Sequence, residues 1–397
     1  MASPLVLLVA AVASLFMAWT IGAGSSGSTP FAPAVGANAI SILRAAFFVG
    51  LLGLAGATLQ GANVTEAVGR ELIGGVTISP LAAIVGLLVA AGLVAVGVFT
   101  GYPIATAFTV TGAIVGVGLA MGGAPAWAKY RQIAALWVLV PFVGGGSAYG
   151  IAMLLREEVV AERRAVPLLG ALVGLIVANI EFTVLGTSGE AVSLATVASR
   201  SATAVVVRGI DLVAVGASLA VAAAVGLVLY REVALDPETG QRRFLLALGG
   251  LVAFSAGGSQ VGLALGPVVP LLDDLAVAPP LIAVLFAGGF GLLVGSWTGA
   301  PRMIKALSQD YSSMGPRRSI AALIPSFAIA QTAVFFGIPV SFNEVIVSAI
   351  VGSGYAAGGS SVSGAKMGYT VLAWVGSLAL SLALGYGVFT AVSILLP

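Results

Sequence analysis

The sequence predicts an all-α polytopic membrane protein of about twelve transmembrane or re-entrant helices, arranged as two inverted repeats. Three observations predict it. Hydrophobic residues make up 59% of the 397 and charged residues only 8%, whereas a soluble domain carries about one quarter charged residues. The few charges fall largely between apolar runs, each near the ~20 residues that a bilayer-crossing helix needs. The chain also repeats itself at long range.

The apolar runs lie at 5–24, 44–60, 79–99, 104–121, 133–155, 166–187, 206–230, 244–266, 279–298, 319–337, 343–357 and 369–396. The first lacks a basic flank before it, so it reads as a retained span and not a cleaved signal peptide. The runs 104–121 and 343–357 are short and rich in glycine, which fits re-entrant segments as well as crossings. The 54 glycines and 18 prolines suit closely packed and interrupted membrane helices.

The repeat is legible residue by residue. Gly101-Tyr102-Pro103 and the stretch Val115 to Gly123 return as Gly337-Ile338-Pro339 and Val351 to Gly359, 236 positions on in each case, as from 101 to 337. Lys129 and Trp137 return as Lys366 and Trp374, and Ala18 to Gly22 is echoed by Ala253 to Gly257. The expected organisation is a first repeat over 1–155, two linking transmembrane helices with flanking cytoplasmic loops over 156–243, and a second repeat over 244–397.

Charge sets the orientation. The loops 156–164, 231–243 and 299–318 hold Arg156, Arg163, Arg164, Arg231, Arg242, Arg243, Arg302, Lys305, Arg317 and Arg318. These loops are expected in the cytoplasm, whereas 271–278, with Asp273 and Asp274, is expected outside. Both termini then lie outside. The loop opened by Gly61-Ala62 carries Glu66, Arg70 and Glu71, and its counterpart opened by Gly299-Ala300 is basic. Equivalent loops of opposite bias should face opposite sides, which makes the copies inverted with an odd number of crossings each. A parallel duplication would require those biases to be accidental.

Composition also excludes several functions. The chain has no cysteine and no histidine, so thiol catalysis, disulfides and the usual proton relay and soft-metal ligands are absent. A pI of 9.0 reflects only 17 basic against 15 acidic residues and does not point to nucleic acid. No phosphate loop or nucleophile elbow occurs, and an enzyme reading has little support.

Two kinds of stretch are expected to interrupt helices within apolar surroundings. The first is Gly22 to Pro30, with the counterpart Gly257-Gly258-Ser259-Gln260. The second is Pro103 to Ala107, with the counterpart Pro339 to Glu344. Backbone freed by glycine and proline must line protein or water. Free N–H groups at a half-helix start, with Ser25, Ser26, Thr106, Ser259, Gln260, Ser341 and Asn343 nearby, would cradle an anion. Freed carbonyls with a carboxylate would hold a hard cation such as Na+. Glu344 is the candidate for cation coupling by Na+ or H+, because a lone carboxylate at depth costs about 2.5–3.5 kcal/mol on insertion scales. Glu66, in an expected outside loop, is the second. Gly-Ser runs serving only tight packing are the competing reading. Glu181 reads as structural, and Arg208 with Asp211, spaced i, i+3, as a local pair on one helix face.

These motifs resemble the inorganic phosphate transporters of the PiT type. That family has inverted repeats, each with an early Gly-Ala/Ser-Asn-Asp-x-Ala-Asn motif and a later Pro-Val-Ser-Thr-Thr-His motif. Here Gly22-Ala23 and Gly257-Gly258 open the early motif, Gly266-Pro267 closes its second copy, and Pro103 and Pro339-Val340-Ser341 open the later one. Val64-Thr65-Glu66 and Gly112 to Ala120 are also similar to the family's. Gly24-Ser25 and Ser259-Gln260 stand where the family has Asn-Asp; Ala105 to Phe108 and Ser341 to Glu344 stand where it has Ser-Thr-Thr-His. The resemblance implies a multi-pass cell-membrane transporter of inorganic phosphate by cation symport, with no cofactor beyond a coupling Na+ or H+, no nucleic-acid partner, and room for a homodimer. Sulfate or another oxyanion is the alternative substrate, and a non-transporting membrane subunit or sensor the alternative class.

Overall fold

The computed structural model describes residues 3–156, 162–186, 191–202, 205–273, 275, 278–312, 314–358 and 362–395. Asp274 and Gly359 lie outside the described residues. Each of the twelve apolar runs falls on a helix. The first part of the chain gives α1 (Pro4–Gly24), the short α2 (Ala32–Gly36), α3 (Ile42–Gln60), α4 (Ala62–Arg70), α5 (Pro80–Thr100), α6 (Thr106–Ala120) and α7 (Trp127–Arg156). The middle gives α8 (Glu162–Ala178), α9 (Leu194–Ser201) and α10 (Leu212–Leu235). Then follow α11 (Pro237–Leu265), a 3-10 turn at Gly266–Val268, α12 (Val269–Leu272), α13 (Leu281–Thr298), α14 (Ala300–Gln309), α15 (Pro316–Phe335), α16 (Phe342–Tyr355) and α17 (Gly364–Leu395). Among the described residues, nine helices are long and apolar enough to cross a membrane.

The helix starts carry conventional signals. Ser79 precedes Pro80, and its hydroxyl accepts from the Ala82 amide at 3.2 Å; Asp236 precedes Pro237 and accepts from Glu238 and Thr239. Side-chain caps of this kind satisfy amides that the first turn leaves free, and proline fits the first helical position. α5 stops at Gly101, which takes a left-handed φ of 77°.

Packing depends on backbone approach at glycine, as expected where lipid offers no hydrophobic drive. A Cβ on Gly56 would stand 1.7 Å from the Phe254 carbonyl oxygen, and one on Gly257 would stand 2.0 Å from that of Gly53, so α3 and α11 meet backbone to backbone. Gly145 and Gly352 do the same for α7 and α16. The pairing is crossed: α6 packs most extensively on α17, and α16 on α7. The short helix near the end of each half is thus covered by a long helix of the other.

One end of the bundle gathers the acidic loops. Strands β1 (Ile73–Gly74) and β2 (Ala124–Pro125) pair there. Lys129 bridges Glu71 at 2.7 Å, and Arg70 bridges Asp273 at 2.7 Å. At the opposite end Arg156, Glu238, Arg317 and Arg318 line a single cavity of about 520 Å³. The three loops assigned to one side by their basic residues therefore converge.

Three expectations differ from the structure. The stretch Gly257 to Gln260 does not break its helix; α11 runs on to Leu265, because its glycines are used for contact with α3 and α4 and keep helical backbone. The span 166–187 ends at Ala178 and passes into β3 (Glu181–Phe182), which pairs with β4 (Val192–Ser193). Arg208 and Asp211 are not on one helix face. Arg208 sits in the turn between β5 (Val206–Val207) and β6 (Ile210–Asp211) with φ 52°. Asp211 caps α10, accepting from the Val213 and Ala214 amides.

Candidate functional site

The centre of the molecule is set by two short helices. α6 has 15 residues and α16 has 14, rising about 22 and 21 Å at ~1.5 Å per residue, less than the ~30 Å hydrocarbon core. Both begin after a proline-led extended segment, as the sequence predicts. Ala105 at the start of α6 offers no capping side chain, and Ser341 at the start of α16 makes no capping hydrogen bond. Each helix therefore presents first-turn amides without side-chain partners, at the positive end of its dipole.

α1 ends at Gly24 and turns sharply. Ser28 and Thr29 donate backbone and side-chain hydrogen bonds to the Ser25 carbonyl, and Gly22 and Gly27 lie where a Cβ would strike α13. Ser25 and Ser26 are buried in this turn. Gln260 arrives from α11 and ties the parts together. Its Oε1 accepts from Thr106 at 2.9 Å and from Ser25 at 3.2 Å, and its Nε2 donates to the Val340 carbonyl at 2.5 Å. Asn343 Nδ2 donates to the carbonyls of Gly24 at 2.9 Å and Ile104 at 2.7 Å. Ser25, Thr106, Gln260 and Asn343, drawn from four segments spread over the chain, thus form one hydrogen-bonded cluster.

Four further polar atoms, close in sequence to members of the cluster, have no hydrogen-bond partner among the described residues: Ser259 Oγ, Ser341 Oγ, Asn343 Oδ1 and Glu344 Oε2. A buried unpaired polar group costs about 1–3 kcal/mol, and three such groups at Ser341, Asn343 and Glu344, in the opening turn of α16, fit a site built to hold a ligand. Glu344 is 2% exposed and, among the described residues, is the only buried acidic or basic side chain. Ser341 and Glu344 have the Ser-x-x-Glu spacing of a capping box, yet neither closes one. Their oxygens remain available.

Of the residues singled out in the sequence, Glu66 is not part of this arrangement. It lies on α4, half exposed, bridged to Arg70 at 2.6 Å in an i, i+4 pair, and Arg70 also holds Asp273. Its carboxylate is thus part of an ion-pair network at the end of the molecule and not of the central cluster.

Sequence reasoning did not assign Trp137 and Trp374 to the site. Trp137 Nε1 donates to the Pro339 carbonyl at 3.0 Å, and Trp374 Nε1 donates to the Pro103 carbonyl at 2.8 Å. Each indole fixes the extended segment that leads into the other half's short helix. The signal was present, since these two tryptophans repeat at nearly the offset of the prolines they hold.

The chain is similar to known proteins over most of its length. The sequence model of the phosphate transporter family matches residues 21–385. A chloroplastic inorganic phosphate transporter 2-1 of Arabidopsis thaliana is 25% identical over 414 residues, covering 91% of this chain and 68% of that protein. A putative phosphate permease of Pyrococcus abyssi is 25% identical, covering 93% of each chain. A solved structure described as the sodium-dependent phosphate transporter aligns with a TM-score of 0.80 and 21% identity, over 98% of this chain and 99% of that one. At that identity the likeness is one of fold: an all-α, multi-pass membrane architecture.

Proposed function

The chain belongs to the phosphate transporter family, and we propose on that premise that it carries inorganic phosphate across the cell membrane together with Na+ or H+, by alternating access. The family is one of transporters and not of enzymes. The observation that carries the reading is the meeting of two uncapped half-helix starts at a buried cluster of neutral donors with one carboxylate.

The chemistry follows from what is there. Helix-start amides and hydroxyls donate to a tetrahedral oxyanion, and Ser25, Ser26, Thr106, Ser259 and Ser341 supply hydroxyls. Asn343 Oδ1 and Gln260 Oε1 are acceptors, which suits phosphate: at neutral pH it bears protons to donate, whereas sulfate bears none. Glu344 repels an anion unless neutralised, so a cation must accompany the substrate. A proton on Glu344 would serve. So would Na+, a hard ion suited to the oxygens of Glu344 and Asn343.

Residues 1–155 and 244–397 act in this reading as inverted copies around the cluster. The reciprocal Trp137–Pro339 and Trp374–Pro103 bonds support it, because equivalent residues make equivalent contacts in exchange. Uptake of radiolabelled phosphate into proteoliposomes, under imposed Na+ or pH gradients and with sulfate as competitor, tests the proposal. Cation-driven phosphate uptake that resists sulfate is expected; uptake under neither gradient, or equal displacement by sulfate, would refute it.

A further inference from the structure

At the end of the molecule that carries Glu71, Lys129 and Asp273, a cavity of about 440 Å³ opens beside α3, α4, α8 and α15. Its polar lining is Gln60, Asn63, Asn179, Glu181, Thr183, Gln331 and Thr332, with no Lys or Arg among the described residues. Gln60 and Gln331 close it on one side by bonding each other in both directions, amide to carbonyl, at 3.3 and 3.2 Å. Gln60 also donates to the Glu181 carbonyl at 2.9 Å, and Gln331 to the Ser255 hydroxyl at 2.6 Å.

Ser255 carries the hydrogen bonds on to α11. It lies on α11 four residues before Ser259, so both hydroxyls share one helix face. Ser259 is fully buried, has no hydrogen-bond partner, and adjoins Gln260 of the central cluster. Hydrogen bonds thus join Gln60, Gln331 and Ser255, and Ser259, one turn further on the same helix and unpartnered among the described residues, precedes Gln260 of the cluster. Side-chain amides that satisfy one another can trade that bond for one to water or an oxyanion at little net cost, since one hydrogen bond replaces another. The pair can therefore part and close again.

We propose that this cavity is the outer vestibule in which phosphate docks, and that the Gln60–Gln331 amide pair is the gate between it and the central cluster. The inference rests on the phosphate-transport reading above. The side-chain amides of Gln60, Asn63, Asn179 and Gln331 in its wall match the central site, which also holds the anion without basic side chains.

The chain has no cysteine, so a single introduced thiol reports one position. The purified full chain, reconstituted in sealed liposomes, is treated from outside or inside with a membrane-impermeant thiol reagent. Asn63→Cys should react quickly from the outer side and be slowed by inorganic phosphate but not by chloride. Ser255→Cys and Ser259→Cys should react slowly from that same side. Adding Gln331→Ala, which removes both bonds of the pair and the one to Ser255, or the milder Gln60→Asn, should speed both by about five-fold or more, since even one lost net bond has about that effect. An unchanged Asn63→Cys rate in those backgrounds shows that the fold is intact. The proposal is overturned if Ser255→Cys and Ser259→Cys stay unreactive from that side in every background, or if phosphate leaves Asn63→Cys unprotected. Labelling needs no turnover, so failure of phosphate uptake by the unmodified chain refutes the transport reading and leaves the gate to be judged by the labelling rates.

Discussion

The indole N–H of Trp374 lies 2.8 Å from the carbonyl oxygen of Pro103, 271 residues away in sequence. That carbonyl stands just before α6, in a segment whose backbone has no helical partner. The bond fixes how α6 aims its first turn at the cluster, and Trp137 does the same for α16 through Pro339.

Trp374→Phe and Trp137→Phe should therefore each weaken transport while keeping the fold. Loss of one buried bond and an orphaned carbonyl is worth about 1–3 kcal/mol. The expected readout is a phosphate KM raised several-fold, with the chain still monodisperse in detergent. Trp127→Phe, at an exposed indole, should leave KM unchanged. Equal effects from all three would dismiss the positioning role.

Gln260→Leu should be more severe. It leaves Ser25 and Thr106 without their shared acceptor and the Val340 carbonyl without its donor, a disruption of several groups at about 1–3 kcal/mol each. Phosphate uptake should drop by well over ten-fold, and phosphate should no longer raise the melting temperature. Wild-type-like thermal stabilisation by phosphate in this variant would place the substrate elsewhere.

Glu344→Gln keeps the shape of the side chain and removes its charge. Phosphate uptake should persist at a reduced level and respond less to the driving cation, whether Na+ or H+. A cation dependence identical to that of the parent chain would eliminate Glu344 as the coupling group.

Acid should act at the corner between α9 and α10. The Ser199 hydroxyl, with the Ala214 and Val213 amides, holds the Asp211 carboxylate below its ordinary range. A depressed folded-state pKa stabilises the protein above the unfolded value of about 3.9 and loses that contribution as pH falls through the folded value. Melting curves in detergent should show the parent chain losing more stability than Asp211→Asn as pH is lowered below about 4. Parallel losses would show that Asp211 does not contribute.

The architecture was largely legible because a bilayer imposes one length and one polarity on every crossing. The apolar runs marked the long helices, and Pro103 and Pro339 announced the two short ones. The glycine stretches were less informative. Gly22 to Gly27 marks a true turn, whereas Gly257 and Gly258 serve contact inside a continuous helix. The difference lies in what packs there, Leu292 and Ser296 against one and Gly53 and Gln60 against the other, and local sequence does not encode it. Residue types at the cluster were readable; their partners were not. Nothing near Gln260 in sequence indicates that it bonds Ser25 and Thr106, or near Gln60 that it faces Gln331. Nor does the sequence show that Glu66 stands apart from the cluster, paired with Arg70.

The crossed packing of α6 on α17 and of α16 on α7 makes the two halves mutually dependent for folding. Cut within the segment that joins α7 to α8, the chain would yield two fragments, each with its short helix stripped of the long helix that covers it. Neither fragment would be a competent unit alone, and function would return only by complementation when both are made in the same membrane.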